Sequence, residues 1–305
     1  MAEEGELEEI LKRVRRIEMR TSGLVRESLG GEYHSSFKGE GIDFEDFREY
    51  QHGDDVRAID WRVTARMDTP HIRQFVEERE LSVLLAVDIS RSGEYGSTLI
   101  SRREFAAEIA ALLAFSAQQN GDKIGLLLFS DQTELFLPPK KGYSHCLRCV
   151  REVLLTRAKG QRTDLTPPLE SLSRSLRRHS LVFLLSDFQA PDFSKALKPL
   201  ARQHDVVALR LEDEAETALP KVGTVLFEDA ETGEQVRVRT SDPAVRQAYL
   251  QERRRWEALV ASVFQGSGVD HLVLRAPLDQ NERQQGLHYL GPLHQFFRTR
   301  RRRHD

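Results

Sequence analysis

From residue 81 onward, short apolar runs alternate with amphipathic helical stretches, and few folds accept that rhythm. Leu81–Val87, Lys123–Phe129, Leu181–Leu185, Asp205–Leu211 and Val269–Leu274 are short and nearly continuously apolar, as strands buried on both faces must be. Thr133–Leu137 adds a further strand beyond a short turn. Arg102–Gln119 puts Ala106, Ile109, Ala110 and Leu113 on one helical face, and further helices are predicted near 143–157, 167–178, 192–202, 243–264 and 288–299. The pattern predicts an α/β fold with a doubly wound, mostly parallel sheet and helices on both faces. It breaks once. Val222–Phe227 and Gln235–Arg239 flank Thr232-Gly233 and predict a β-hairpin inserted over 222–240, ahead of the last strand and helix.

The first 80 residues read differently. Leu7, Ile10, Leu11, Val14, Ile17, Leu24, Val25 and Leu29 recur near helical spacing, which predicts an amphipathic helix packed on the main domain. Residues 30–80 combine glycines, dense charge and scattered aromatics, and predict short strands and irregular loops. Within Gly53–Trp61 the expected arrangement is structural: Asp54, Asp55 and Asp60 pairing with Arg57, Arg62 and Arg66 while Trp61 fills a core gap. The expected division is therefore an N-terminal segment, 1–80, and an α/β domain, 81–305.

Composition narrows the function classes. Lys plus Arg number 45 against 48 Asp plus Glu, a net charge of −3, without the basic excess of a general nucleic-acid binder. The acidic start (Glu3, Glu4, Glu6, Glu8, Glu9) and the arginine-rich end (Arg298, Arg300–Arg303) read as solvated termini. No run approaches the ~18 apolar residues of a membrane span, and no signal-peptide core is apparent, so a cytoplasmic location is expected. Cys146 and Cys149 form a C-x-x-C beside His145, but zinc needs four ligands and no second pair completes them. Inert helical cysteines are expected.

Chemistry concentrates where strands end. The first strand of the α/β domain runs into Asp88-Ile89-Ser90-Arg91-Ser92, and Leu181–Leu185 delivers Ser186-Asp187 to the same sheet edge. In open α/β sheets, ligands bind outside those carboxyl ends. Thr163 lies in the loop Gly160–Asp164, and Thr166 before Pro167 is expected to cap the next helix, leaving Thr163 for another task. Asp88, Ser90, Ser92, Thr163 and Asp187 are all hard oxygen donors, the set that selects Mg²⁺, Mn²⁺ or Ca²⁺.

D-x-S-x-S followed by Thr and then Asp on this frame resembles a von Willebrand factor A domain with a metal-ion-dependent adhesion site. The resemblance implies direct ligation by Ser90, Ser92 and Thr163, with Asp88 and Asp187 acting largely through water. A wider match is to the domain-of-unknown-function 58 family, carried by Gly41–Tyr50, Gly53–Trp61, Phe75–Glu80, Pro138–Gly142 and Ser186-Asp187-Phe188. That resemblance implies action beside a MoxR-type AAA+ ATPase. Many relatives carry membrane helices near the N-terminus, and this sequence shows none.

Two function classes follow. A binding module would capture a carboxylate of the ATPase or of a client protein on the incompletely ligated ion; the chain has no phosphate loop of its own. The alternative is a Mg²⁺- or Mn²⁺-dependent phosphatase or nuclease. Haloacid-dehalogenase-like phosphatases resemble D-x-D here, yet the second position in this chain is Ser90, which does not titrate near neutrality. The expectation is a non-catalytic module.

Overall fold

The computed structural model describes residues 12–21, 24–25, 33, 37, 43–51, 54–67, 69–76, 80–96, 99–160, 162–278, 282 and 287–304. Residues 12–21 form helix α1, which buries Val14, Ile17 and Thr21. The ends of the helix expected from Leu7 to Leu29 lie outside the described residues. The chain divides into two compact units, Phe37–Leu81 and the remainder (Met1–Ser36 with Ser82–Asp305), so α1 belongs with the α/β unit rather than with the segment that follows it.

In the smaller unit, β1 (Asp43–Glu49) pairs antiparallel with β2 (His71–Val76), and α2 (Trp61–Met67) lies between them in sequence. The ion pair described for Asp54 is with Arg48, not with the arginines expected. Asp54 takes a two-pronged bond from Arg48, both arms 2.8 Å, which holds its carboxyl below the usual range. Asp60 accepts the Arg62 and Val63 amides at 2.9 and 3.3 Å and so caps α2, while Asp55 accepts the Arg57 amide at 2.9 Å. Trp61 is 66% exposed and fills no core gap. His52 and Gly53 lie outside the described residues.

The α/β unit follows the predicted alternation closely. Its elements are β3 (Ser82–Asp88), α3 (Arg102–Gln119), β4 (Lys123–Phe129), β5 (Thr133–Lys140), α4 (Tyr143–Leu155), α5 (Thr166–Ser175), β6 (Leu181–Ser186), α6 (Ser194–Gln203) and β7 (Asp205–Glu212). The hairpin β8 (Thr224–Glu228) and β9 (Gln235–Arg239) comes next, then α7 (Pro243–Ser267), β10 (Asp270–Arg275) and α8 (Leu287–His304). Six strands form one sheet in the order β10-β7-β6-β3-β4-β5, parallel except for β5. The hairpin is a separate two-stranded sheet. This is the doubly wound, mostly parallel α/β arrangement expected from the alternation of strands and helices.

Period-two alternation explains how one sheet serves two layers. Leu84, Ala86, Val182, Leu184, Val206 and Ala208 point into a cluster with Leu169 of α5, Leu197 of α6 and Phe264 of α7. Val83, Leu85 and Val87 point the other way, and α3 packs on β3 and β4. Phe105 through Ala117 of α3 are all buried, which the alanine-rich sequence permits by letting neighbouring elements approach from every side. Gly125 does the same within β4: a Cβ there would meet the Leu137 carbonyl at 2.9 Å.

Cys146 and Cys149 are buried on α4, and burial pushes their thiols up to about 11 and about 12. The C-x-x-C is thus a pair of protonated core residues. Each is expected to react with iodoacetamide roughly a hundred-fold more slowly than a free thiol at pH 8, with full reactivity restored by urea. Labelling of the folded protein at the free-thiol rate would contradict this assignment.

Candidate metal centre at the strand crossover

The chain runs from β3 through β4 to β5 on one side, then returns to β6, β7 and β10 on the other. The reversal lies between β3 and β6, where adjacent loops leave in opposite directions and open a crevice. Asp88 is the last residue of β3, and Asp187 directly follows β6.

Four of the five predicted donors meet there in one hydrogen-bonded chain. Asp88 Oδ1 accepts the Ser90 amide at 2.9 Å, and Ser90 Oγ lies 3.1 Å from Ser92 Oγ. Ser92 Oγ donates to Asp187 Oδ2 at 3.3 Å. Asp88 Oδ2 accepts from Ser186 Oγ at 2.6 Å. Burial, then the nearby charge of Asp187, pushes the Asp88 carboxyl up to about 6, against the opposing pull of the Ser186 and Ser90 hydrogen bonds.

Thr163 is engaged outside that chain. Its loop is pinned to the β4–β5 turn and the start of β5: the Lys159 and Gly160 amides donate to Glu134 at 2.9 and 2.8 Å, and the Asp164 amide faces the Ser130 carbonyl at 3.5 Å. Burial opposes ionisation of Glu134, yet the Gly160, Ser130 and Lys159 hydrogen bonds together hold its carboxyl below the usual range. A Cβ at 160 would come within 2.0 Å of Asp131 Oδ1 and 2.2 Å of Ser130 Oγ, so any side chain there would have to displace both. The Thr163 hydroxyl then donates to Glu231, in the turn of the inserted hairpin. The expected cap is corrected: Thr166 is the first residue of α5, Leu165 stands before it, and the Thr166 amide donates to Asp164 Oδ1 at 2.8 Å. Two prolines, Pro167 and Pro168, move the helix start back by one residue, because neither needs a backbone acceptor.

Sequence reasoning missed Arg102. Its guanidinium donates to Asp187 Oδ2 at 2.6 Å and to the Ser92 carbonyl at 3.0 Å, and also binds Glu216. Burial keeps the Glu216 carboxyl above its usual range despite that partner. A local signal for Arg102 existed. Ser101-Arg102-Arg103-Glu104 is a capping box, with Ser101 Oγ accepting the Glu104 amide at 3.2 Å and Glu104 reaching back at 3.3 Å. The box fixes the first turn of α3 just after the D-x-S-x-S loop and so aims Arg102 at the crossover.

Asp187 is also positioned from behind. Phe188 has φ of 59°, the left-handed region that a bulky residue occupies only under constraint. Its amide donates to Ser186 Oγ at 2.9 Å, and its ring sits edge-on to Phe264 with centroids 5.0 Å apart.

The chemistry of the donor set fits a hard divalent cation: two carboxylates and two hydroxyls converge, with Arg102 on one of the carboxylates. Among the described residues no group of three or more His, Cys, Asp or Glu is placed to hold a metal, so soft or imidazole-seeking ions have no such cluster there.

The sequence pattern described as "Protein of unknown function DUF58" matches residues 46–258. The chain belongs to the DUF58 family. Uncharacterized proteins of Mycobacterium tuberculosis and Mycobacterium bovis are 32% identical over 285 residues, covering 91% of this chain and 87% of theirs. Among solved structures, the chain is similar to the conserved hypothetical protein BatB from Bacteroides thetaiotaomicron, at TM-score 0.42 and 16% identity over 71% of this chain and 99% of that one. It is also similar to a von Willebrand factor type A structure from Catenulispora acidiphila, at TM-score 0.34 and 14% identity over 47% and 35%. Among the described residues of this DUF58 protein, no helix is long and apolar enough to cross a membrane.

Proposed function

We propose that this DUF58 protein is a non-catalytic binding module that holds one Mg²⁺, with Mn²⁺ or Ca²⁺ as substitutes, through Asp88, Ser90, Ser92, Thr163 and Asp187. The partner contributes an acidic residue and is a MoxR-type AAA+ ATPase or a client protein that the two mature together. The observation that carries the reading is the gathering of Asp88, Ser90, Ser92 and Asp187 at the strand crossover. Bound there, the ion would supply an electrophilic point that an outside carboxylate oxygen completes. Neutral hydroxyls leave it that character, since they bring no charge of their own.

The phosphatase or nuclease alternative is weaker at this geometry. Both Asp88 oxygens already accept hydrogen bonds, from the Ser90 amide and the Ser186 hydroxyl, which disfavours nucleophilic attack. The neighbouring Ser90 offers no acid or base near neutrality.

Surface plasmon resonance against the ATPase, in Mg²⁺, in EDTA and with Thr163→Ala in Mg²⁺, tests the proposal. EDTA is expected to abolish most of the association, and Thr163→Ala to weaken it by roughly ten-fold or more, the scale on which metal sites respond to lost supporting groups. Equal affinity in all three conditions would sink it.

A further inference from the structure

The hairpin β8–β9 brings a carboxylate of its own to Thr163, one of the donors proposed for the ion. Asp229 builds the turn: its side chain accepts the Glu231 and Thr232 amides at 2.9 and 2.8 Å, and its carbonyl accepts the Gly233 amide at 2.8 Å. Gly233, with φ of 72°, closes the loop in a conformation few other residues adopt. Glu231 thereby stands at the tip and takes the Thr163 hydroxyl, one of the donors proposed for the ion. Thr163 is 5% exposed, so Glu231 takes a buried hydroxyl rather than one on open surface.

The rest of the hairpin is built to let go. Its two strands form a sheet of their own, outside the six-stranded one. Leu226 and Val236 are 53% and 51% exposed, so the hairpin buries little apolar surface. A lone two-stranded hairpin is marginal in water. Its base is fixed instead: the buried Thr240 hydroxyl donates to the Gly223 carbonyl at 3.0 Å, and the Ser241 amide donates to the same carbonyl at 3.2 Å. Gly223 has φ of 97°, a backbone freedom at the pivot. The element is anchored at its base and touches Thr163 at its tip. Beneath the tip lies a cleft of 580 Å³, lined by Thr163 and Glu231 together with Arg162, Tyr249 and Trp256.

Resting on the metal-binding reading above, we propose that Glu231 is a tethered plug for the site. It supplies in cis the carboxylate that a partner supplies in trans, and the partner's acidic segment enters the cleft by displacing the hairpin tip. A tethered group acts at an effective concentration on the order of millimolar, so stray carboxylates do not compete while a partner with additional contacts does. The device keeps an electrophilic ion from binding acids indiscriminately.

The test uses Mn²⁺ and the full chain. Free Mn²⁺ is counted by electron paramagnetic resonance, and water-proton relaxation reports how many waters the bound ion carries. Glu231→Gln is expected to weaken Mn²⁺ binding roughly ten-fold and to raise relaxation per bound ion by about one water's contribution. Glutarate, as a free carboxylate probe, is expected to quench that gain in Glu231→Gln at concentrations that leave wild type unchanged. Glu234→Gln, in the same turn, serves as the charge control and is expected to match wild type. Wild type that binds Mn²⁺ with the same affinity and relaxation as Glu231→Gln overturns the plug and leaves the metal centre standing. Wild type that binds no Mn²⁺ overturns both.

Discussion

Arg102→Met is expected to destabilise the α/β unit by roughly 3–5 kcal/mol, the cost of leaving buried charge without its partner. The guanidinium is 8% exposed and holds the carboxylates of Asp187 and Glu216, which are 4% and 21% exposed. Methionine fills similar volume but leaves both carboxylates facing each other across the gap. Lysine is expected to recover only part of the loss, since one ammonium cannot replace a planar fork that reaches Asp187, Glu216 and the Ser92 carbonyl together. The same loss should be smaller in Mg²⁺, because an ion at Asp88 and Asp187 restores some of the missing positive charge. Urea denaturation of the three proteins, each with Mg²⁺ and with EDTA, reads all of this. A destabilisation below about 1 kcal/mol would mean the carboxylates are solvated and the cluster is not the buried network described.

The double change Ser90→Ala with Ser92→Ala is expected to abolish stabilisation by metal. Wild type in Mg²⁺ at 100 times its dissociation constant should gain roughly 2.7 kcal/mol relative to EDTA, and the double variant should gain nothing. The two hydroxyls form the middle of the chain between Asp88 and Asp187, so their removal deletes donors without touching the strands that position them. The circular dichroism spectrum should remain that of wild type. A Tm that still rises with Mg²⁺ in the double variant rejects these ligands. Any response that persists there, yet disappears in Asp88→Asn, would shift the ion toward the carboxylates and Ser186.

What could be read from sequence tracks how local the signal is. Lys123–Phe129 and Arg102–Gln119 were legible to the residue, because an apolar run or a capped helix announces itself within its own length. The meeting of Asp88, Ser90, Ser92 and Asp187 was legible because two strand ends share one sheet edge, and the strand order then makes them neighbours. Arg102, Glu216 and Glu231 were not. Arg102 meets Asp187 across 85 positions and Glu216 across 114, and Glu231 meets Thr163 across 68. Pairings of that kind depend on how far the hairpin and the Glu214–Glu216 turn reach, which no periodicity encodes. Trp61 failed for the opposite reason: its size alone suggested burial, whereas it stands 66% exposed on a seven-residue helix that buries none of its residues.

The left-handed backbone at Phe188 gives the centre a dependence on remote packing. A non-glycine residue held at positive φ costs of order 1–3 kcal/mol, which its surroundings must offset. Here the offset comes from the contact with Phe264 of α7, in the same cluster as Phe193 and Leu197 of the α6 segment. If that packing loosens, the peptide after Asp187 is free to relax toward an ordinary extended or helical conformation, and the carboxylate turns with it. The aim of a charged group at the sheet's rim is therefore set from the oily layer behind it, so a substitution that never touches the rim can detune it.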